Sequence, residues 1–193
     1  AKLRFEYELI DKQANRELIT LHAIKTVPEQ VSPKEIEKDW LTEFYSTCEN
    51  VSDDEMQSLW GKILAGEATK PGSYSRKTLQ IIKNLSKNDA HLFTKFCGFV
   101  WHEKQRGLIT KAYHFIKRET ESCFIIDNAI TYEDALHLEY LGLILLSKET
   151  TLNFTPNAKE EMFFHQSKHC FIFVNKLSMN DVIVLTKAGN ELL

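Results

Sequence analysis

The hydrophobic residues in the first half of the chain recur at the spacing of amphipathic helices. A first helix is predicted from Phe5 to Thr26, and Val27-Pro28 ends it because the residue before a proline disfavours helical backbone. The large apolar residues of this helix are Leu9, Ile10, Leu18, Leu21 and Ile24.

Two capping signals predict the next two helices. Ser32-Pro33-Lys34-Glu35 combines a serine, an early proline and a glutamate, which is the pattern of a helix start, and Ser52-Asp53-Asp54-Glu55 resembles it. Gly66 is predicted to end the third helix. Within that helix Gly61 and Ala65 are four residues apart, so they share a face that another helix can approach closely.

A turn at residues 70–75 predicts a fourth helix, which carries Leu79, Ile82 and Leu85 on one side. A fifth helix is predicted to start at Ser86, to include Val100 and Trp101 in a broad apolar face, and to end at Gly107.

Beyond Arg106 the pattern changes to short β-branched and aromatic runs. The predicted strands are 123–126, 171–174 and 181–185, with a helix from Thr131 to Gly142 between them and a helical tail from Thr186 to Leu193. This order resembles the wing end of winged-helix domains. The predicted fold class is mainly α, with a helical bundle at residues 1–105 and a small α+β, winged-helix-like region at 106–193.

Composition restricts the class of protein. A chain of 193 residues with 43% hydrophobic content can bury a substantial core. The four cysteines include no Cys-x-x-Cys pair, which favours buried thiols in a reducing cytoplasm over a disulfide scaffold. No run of about 18 apolar residues and no signal peptide is present, so we expect a cytoplasmic protein without a membrane span.

Charge is distributed unevenly along the chain. Residues 70–118 contain eleven Lys or Arg and only two acidic residues, a formal charge of +9, whereas the whole chain carries −3. A basic middle between acidic flanks is typical of a polyanion-binding surface. The alternative is that these cations pair with acidic residues of the first flank, which are Glu35, Glu37, Asp39, Asp53, Asp54 and Glu55.

The turn at residues 72–77 is the main candidate anion site. Amides at a helix start, two hydroxyls and two cations together favour a phosphate group. The turn lacks the spacing of a Walker A loop, and the alternative is an ordinary cap in which Ser75 satisfies the helix. The predicted nucleic-acid or phosphate-binding residues are Ser73, Tyr74, Ser75, Arg76, Lys77, Lys83, Lys87, Arg106, Lys111, Lys117 and Arg118.

Two further patterns in the sequence bear on possible chemistry. His165 and His169 would share a helix face as metal ligands, but they run into a strand-like segment without a third ligand, which favours a polar hairpin or loop. No Gly-x-Ser-x-Gly elbow is present, and Asp53-Asp54 is explained by its position at a helix start. No catalytic residue, metal or cofactor is predicted.

A chain of motifs in the first half resembles one bacterial protein family. Ser52 to Glu67, then Pro71-Gly72-Ser73-Tyr74-Ser75, then Lys83-Asn84-Leu85-Ser86, together with the upstream Asp39-Trp40-Leu41, are similar to domain of unknown function 2806. The resemblance covers residues 33–97. It implies a bacterial or phage-borne cytoplasmic protein, with an association to phage-defence systems and no catalytic residues to transfer.

These observations predict a non-enzymatic binding module that contacts nucleic acid through the basic segment 70–118. The alternative is a protein-interaction or oligomerisation subunit of a larger complex. An enzyme whose active site lies in sequence outside this chain is a third option.

Overall fold

The computed structural model describes side chains at residues 2–29, 31–98, 130–146 and 183–193, and backbone alone within the strands between them. The chain forms two compact units, residues 1–87 and 88–193. The division therefore precedes the predicted boundary at 105/106.

The first unit is helical, as predicted. Its helices are α1 (Lys2–Thr26), α2 (Lys38–Cys48), α3 (Asp54–Thr69) and α4 (Arg76–Lys83). Helix α1 packs on α3, and α2 packs on α4. The aromatic centre of this core is Phe44, which stacks on Trp40 at a ring-centroid distance of 5.1 Å and meets Trp60 edge to face at 5.4 Å.

The capping predictions have different outcomes. Asp53 caps α3 by accepting a 3.0 Å hydrogen bond from the Met56 amide, and Ser75 caps α4 through the Thr78 amide. The predicted start near Ser32 is wrong, since α2 begins at Lys38 without a side-chain cap. The Ser32 hydroxyl instead accepts from the amide two residues on, that of Lys34, which forms a local turn and leaves no cap for a helix.

The two glycines of α3 also differ from each other. The close approach predicted at Gly61 is confirmed, because a Cβ there would lie 2.5 Å from the His22 Cβ of α1. The stop predicted at Gly66 is wrong: α3 continues to Thr69, and Gly66 instead makes room for the ring of Tyr74, which a Cβ would meet at 2.8 Å.

The second unit combines helices with antiparallel strands, as the α+β prediction states. Its helices are α5 (Lys87–Cys97, whose first residue belongs to the first unit), α6 (Tyr132–Tyr140) and α7 (Lys187–Leu192). Its strands are β1 (Trp101–Gln105), β2 (Leu108–Phe115), β3 (Lys117–Thr120), β4 (Cys123–Ile125), β5 (Ile144–Ser147), β6 (Leu152–Asn153), β7 (Met162–His165), β8 (Lys168–Phe171), β9 (Ser178–Met179) and β10 (Val182–Leu185). Six of them form one sheet in the order β5-β10-β2-β1-β7-β8, while β3 pairs with β4 and β6 with β9.

The fifth predicted helix is too long. Helix α5 ends at Cys97, and the segment from Trp101 forms β1, which pairs with both β2 and β7. The strand pairing uses the backbone hydrogen bonds that a helix would need. The predicted strands at 123–126 and 181–185 are confirmed over their described residues as β4 and β10, whereas β8 ends at Phe171. Residues 126, 172–174 and 181 lie outside the described residues.

The end of the chain is held by local caps. Thr131 and Asp134 form a reciprocal capping box at the start of α6, where a helix was predicted to begin. Thr186 caps α7 through the Gly189 amide and also donates to the Gly142 carbonyl at 2.6 Å, which ties α7 to the loop before β5. The winged-helix resemblance of this region stays a prediction.

Candidate functional site

The turn between α3 and α4 is organised around a buried carboxylate. Glu67, 2% exposed, accepts hydrogen bonds from the amides of Gly72 at 2.5 Å and Tyr74 at 3.0 Å. Gly72 has a φ of +92°, a conformation that glycine adopts without strain. Glu67 therefore satisfies two amides within the turn that was the candidate anion site.

The side chains of this turn are also engaged within the fold. The Ser73 hydroxyl donates to the Lys70 carbonyl at 2.7 Å, and Ser75 is the cap of α4. The Tyr74 ring is half-buried over Gly66. The backbone carbonyl of Tyr74 accepts a 2.8 Å hydrogen bond from the Trp40 indole. These contacts correspond to the ordinary cap that was the alternative for the turn.

Two of the predicted cations meet carboxylates of the acidic flank. Arg76 lies 3.1 Å from Glu37 and 3.4 Å from Asp39. Lys87 lies 2.6 Å from a Glu55 oxygen and 3.7 Å from an Asp53 oxygen.

The pKa shifts of Asp53 and Lys87 agree with the ion pairs that Lys87 forms with Asp53 and Glu55. The pKa of Asp53 is lowered, chiefly because it accepts from the Met56 amide and also because Lys87 is close. The hydrogen bond to Glu55 is the main cause that raises the pKa of Lys87. The alternative interpretation, pairing with the chain's own carboxylates, therefore applies to Arg76 and Lys87.

The remaining predicted cations fall into two groups. Lys77 and Lys83 are exposed on α4 and form no ion pair within the described part of the chain. The other four predicted cations have side chains outside the described residues; they are Arg106, Lys111, Lys117 and Arg118.

Helix α1 exposes a long apolar face that sequence reasoning missed. Its buried residues are Ile19 and Ala23, whereas Leu3, Tyr7, Ile10, Leu21 and Ile24 are each 45 to 65% exposed. At about 100° per residue, Leu21 lies about 200° around the helix from Ile19, so the exposed face is opposite the packed face. We define the α1 seam as positions Leu3, Tyr7, Ile10, Ala14, Glu17, Leu21 and Ile24.

The packed face of α1 is fixed by a polar network around Glu49. Lys12 donates to the Glu49 carboxylate at 2.7 Å, and Arg16 binds its other oxygen. These cations lower the pKa of Glu49, with the Lys12 hydrogen bond as the largest cause. Asn15 donates to the Glu49 carbonyl at 3.0 Å, so the orientation of α1 is determined and the seam is directed outward.

A groove of about 660 Å³ runs between the second half of α1 and α2. Its wall on α1 includes Glu17, Leu21 and Ile24 of the seam, and its wall on α2 includes Thr42 and Tyr45. The seam and the groove are therefore continuous.

The described residues show no candidate metal centre. They contain no cluster of three or more His, Cys, Asp or Glu side chains able to hold a metal ion. Burial raises the pKa of the Cys48 and Cys97 thiols to about 12. The two histidines lie on the antiparallel strands β7 and β8, with His165 opposite Lys168 and His169 opposite Phe164.

The length and apolarity needed to cross a bilayer are not combined in any helix that the structure describes.

The chain consists of a helical unit and an α+β unit. A family model described as protein of unknown function (DUF2806) matches residues 1–193, and the chain belongs to that family. No curated protein and no solved structure matches the chain.

Proposed function

We propose that this protein is a protein-interaction subunit that binds a helical partner along the α1 seam. The observation that carries the proposal is the row of large apolar side chains on the face of α1 opposite its packed face. Contiguous apolar patches of more than a few hundred Å² are rare on monomers and mark interaction sites.

The shape of this face fits a helix. The seam runs along one side of α1, and the groove beside its second half has α2 as a second wall. An amphipathic helix binds such a groove through residues at spacings of three and four. Full burial of each Leu or Ile contributes about 1.5–3 kcal/mol.

Site-specific photocrosslinking in cells that produce the protein tests this function. A photoreactive amino acid replaces Ile10 or Leu21 in the seam, and the matched control carries it at Leu136, which is similarly exposed on α6 of the second unit. We expect discrete protein adducts from the seam positions and none from the control. Absence of adducts from both seam positions would exclude the function.

Nucleic-acid binding is a second candidate, favoured by the exposed Lys77 and Lys83 on α4. Reversing both charges is expected to abolish retention on duplex DNA at low salt, with Lys34→Glu as the control on the acidic flank. Each lost phosphate contact lowers the slope of log K against log salt by about 0.9. Unchanged retention would exclude these two lysines as a nucleic-acid face.

A further inference from the structure

We propose that Glu139 closes the outer edge of β5 to the addition of a further strand. Strand β5 belongs to the second unit, whereas the α1 seam belongs to the first, so this contact is independent of the proposed function. Three observations carry the proposal: the position of β5 in the sheet, the hydrogen bond between Glu139 and the Leu146 amide, and the apolar sequence of the strand.

Strand β5 is the last strand at one end of the six-stranded sheet. It pairs with β10 along one side, with Leu145 opposite Val184 and Leu146 opposite Ile183. A strand at the end of a sheet has a second row of backbone N–H and C=O groups, on the side away from its partner. Such a row is a template on which an extended segment of another chain can pair.

The register identifies the backbone groups on the outer side of β5. The Thr186 amide donates to the Leu143 carbonyl at 3.0 Å, so the backbone groups of Leu143 face the β10 side. Successive residues of an antiparallel strand direct their backbone groups alternately towards the partner strand and away from it. The N–H groups of Ile144 and Leu146 are therefore directed to the outer edge.

The carboxylate of Glu139 occupies this outer edge. Its Oε1 atom accepts a hydrogen bond from the Leu146 amide at 2.7 Å. The distance between nitrogen and oxygen is at the short end for an amide donor, as expected for an acceptor that carries a negative charge. An added strand would need the same N–H group, and it would leave the carboxylate without this partner.

The turn between α6 and β5 holds the carboxylate in place. The Gly142 amide donates to the Glu139 carbonyl at 2.9 Å, and the Leu143 amide donates to the Leu138 carbonyl at 3.0 Å. These two bonds form a Schellman motif, in which Gly142 has a φ of +78°. The chain turns here, which brings the last turn of α6 beside the outer edge of β5.

The position of Glu139 in α6 has no electrostatic advantage for the helix. Glu139 lies in the last turn, where the partial negative charge of the helix dipole disfavours an acidic side chain. Glu133 and Asp134 lie in the first turn, where the dipole favours them. The hydrogen bond to β5 is therefore the contact that accounts for an acidic residue at position 139.

The sequence of β5 supplies no protection of its own. Residues 143–146 are Leu-Ile-Leu-Leu, and neither a charged residue nor a proline occurs from 141 to 147. The pairing with β10 runs through four consecutive residue pairs without a bulge. Charged side chains, prolines and bulges are the usual devices that keep an edge strand from pairing. At this edge the charge comes from α6 instead.

The surface around the edge would favour association if the edge were open. Leu145 is 52% exposed, and Tyr140, which follows Glu139 in α6, is 87% exposed. Exposed apolar side chains beside free backbone groups are the combination through which edge strands aggregate.

Sedimentation velocity of the full chain tests the role of Glu139. Glu139→Ala removes the acceptor and the charge, and we expect this variant to self-associate with a Kd about tenfold or more below that of the wild type. Glu133→Ala removes an exposed carboxylate from the first turn of the same helix, and as the matched control it should sediment as the wild type does. Equal sedimentation of the wild type and Glu139→Ala overturns the proposal.

A second substitution determines whether the association uses the β5 edge. Leu145→Lys adds a charge to the strand at an exposed position, which is how other edge strands avoid pairing. In the Glu139→Ala background it should return the Kd to the wild-type range. Association that persists in the double variant would use another surface, and that result also overturns the proposal.

Hydrogen exchange measured by NMR in dilute protein reports on the edge itself. In Glu139→Ala the Leu146 amide should exchange about tenfold or more faster than in the wild type, because it has lost its acceptor. The Leu145 amide faces β10 and should change much less. An equal acceleration at both amides would mean that Glu139 stabilises the whole strand and does not act on its edge, which contradicts the proposal.

Discussion

The two faces of α1 differ both in composition and in surroundings. On one face Ile19 and Ala23 are buried against α3, which comes so close at Gly61 that a methyl group would not fit. On the other face Ile10, Leu21 and Ile24 are exposed. Hydrophobicity alone therefore did not select the core face of this helix.

The difference lies in the size and polarity of the packed face. Ala23 is small, and the residues beside it that approach α2 and α3 include Lys12, Asn15 and Arg16, which converge on the segment after α2 through Glu49. Close helix packing needs small residues, and the specific orientation comes from the polar network. The larger apolar residues are left for a surface outside this unit.

The largest expected effect contrasts isoleucines on the two faces. Ile19→Ala should lower the free energy of unfolding by about 2–5 kcal/mol because it leaves a cavity in the core. Ile24→Ala should change it by less than about 0.5 kcal/mol in the monomer, because that side chain is exposed. Urea denaturation at low protein concentration measures both, and equal losses would contradict the assignment of the faces.

A smaller effect is expected at the helix contact. Gly61→Ala should destabilise the fold by about 1–2 kcal/mol, since overpacking against His22 exceeds the gain of about 1 kcal/mol in helix propensity. Lys62→Ala, at an exposed position of α3, is the control and should be close to neutral. Stabilisation by Gly61→Ala would show that α1 does not approach α3 this closely.

The Glu49 network should make the free energy of unfolding depend on pH. Because the folded-state pKa of Glu49 is lowered, its contribution is fully present above the unfolded pKa of about 4.3 and is lost as pH falls through the folded pKa. Glu49→Gln should cost about 1–2 kcal/mol at pH 7 and progressively less towards pH 3.

Denaturant unfolding of wild type and Glu49→Gln across this pH range measures the difference. Glu29→Gln, at an exposed carboxylate outside the network, is the control. A stability difference between wild type and Glu49→Gln that does not change with pH would mean that the carboxylate is not linked to Lys12 and Arg16.

The smallest expected effect concerns the unsupported start of α1. Amide hydrogens of residues 2–11 should exchange faster than those of residues 15–25 at low concentration, because only the second segment packs on the unit. Equal and strong protection of both segments in dilute protein would contradict the exposed state of the seam.

The sequence by itself predicted the elements whose signals are local. Asp53, Ser75 and Thr131 each cap a helix because the side-chain acceptor and the amide it satisfies are three residues apart. The small-residue face at Gly61 was also readable, since its function depends on one helix period. The apolar residues of α1 could be named from the sequence, but their spacing does not state whether they face the core or solvent.

The tertiary structure decided every contact between residues distant in sequence. Glu37 and Arg76 meet across a separation of 39 residues, and Lys12 and Glu49 across 37. Such pairs depend on how helices pack, because a charge can satisfy a partner from any element that comes close. Local signals thus determined where α3, α4, α6 and α7 start, and the packing determined that Glu67 accepts from the turn amides and that the apolar row of α1 faces outward.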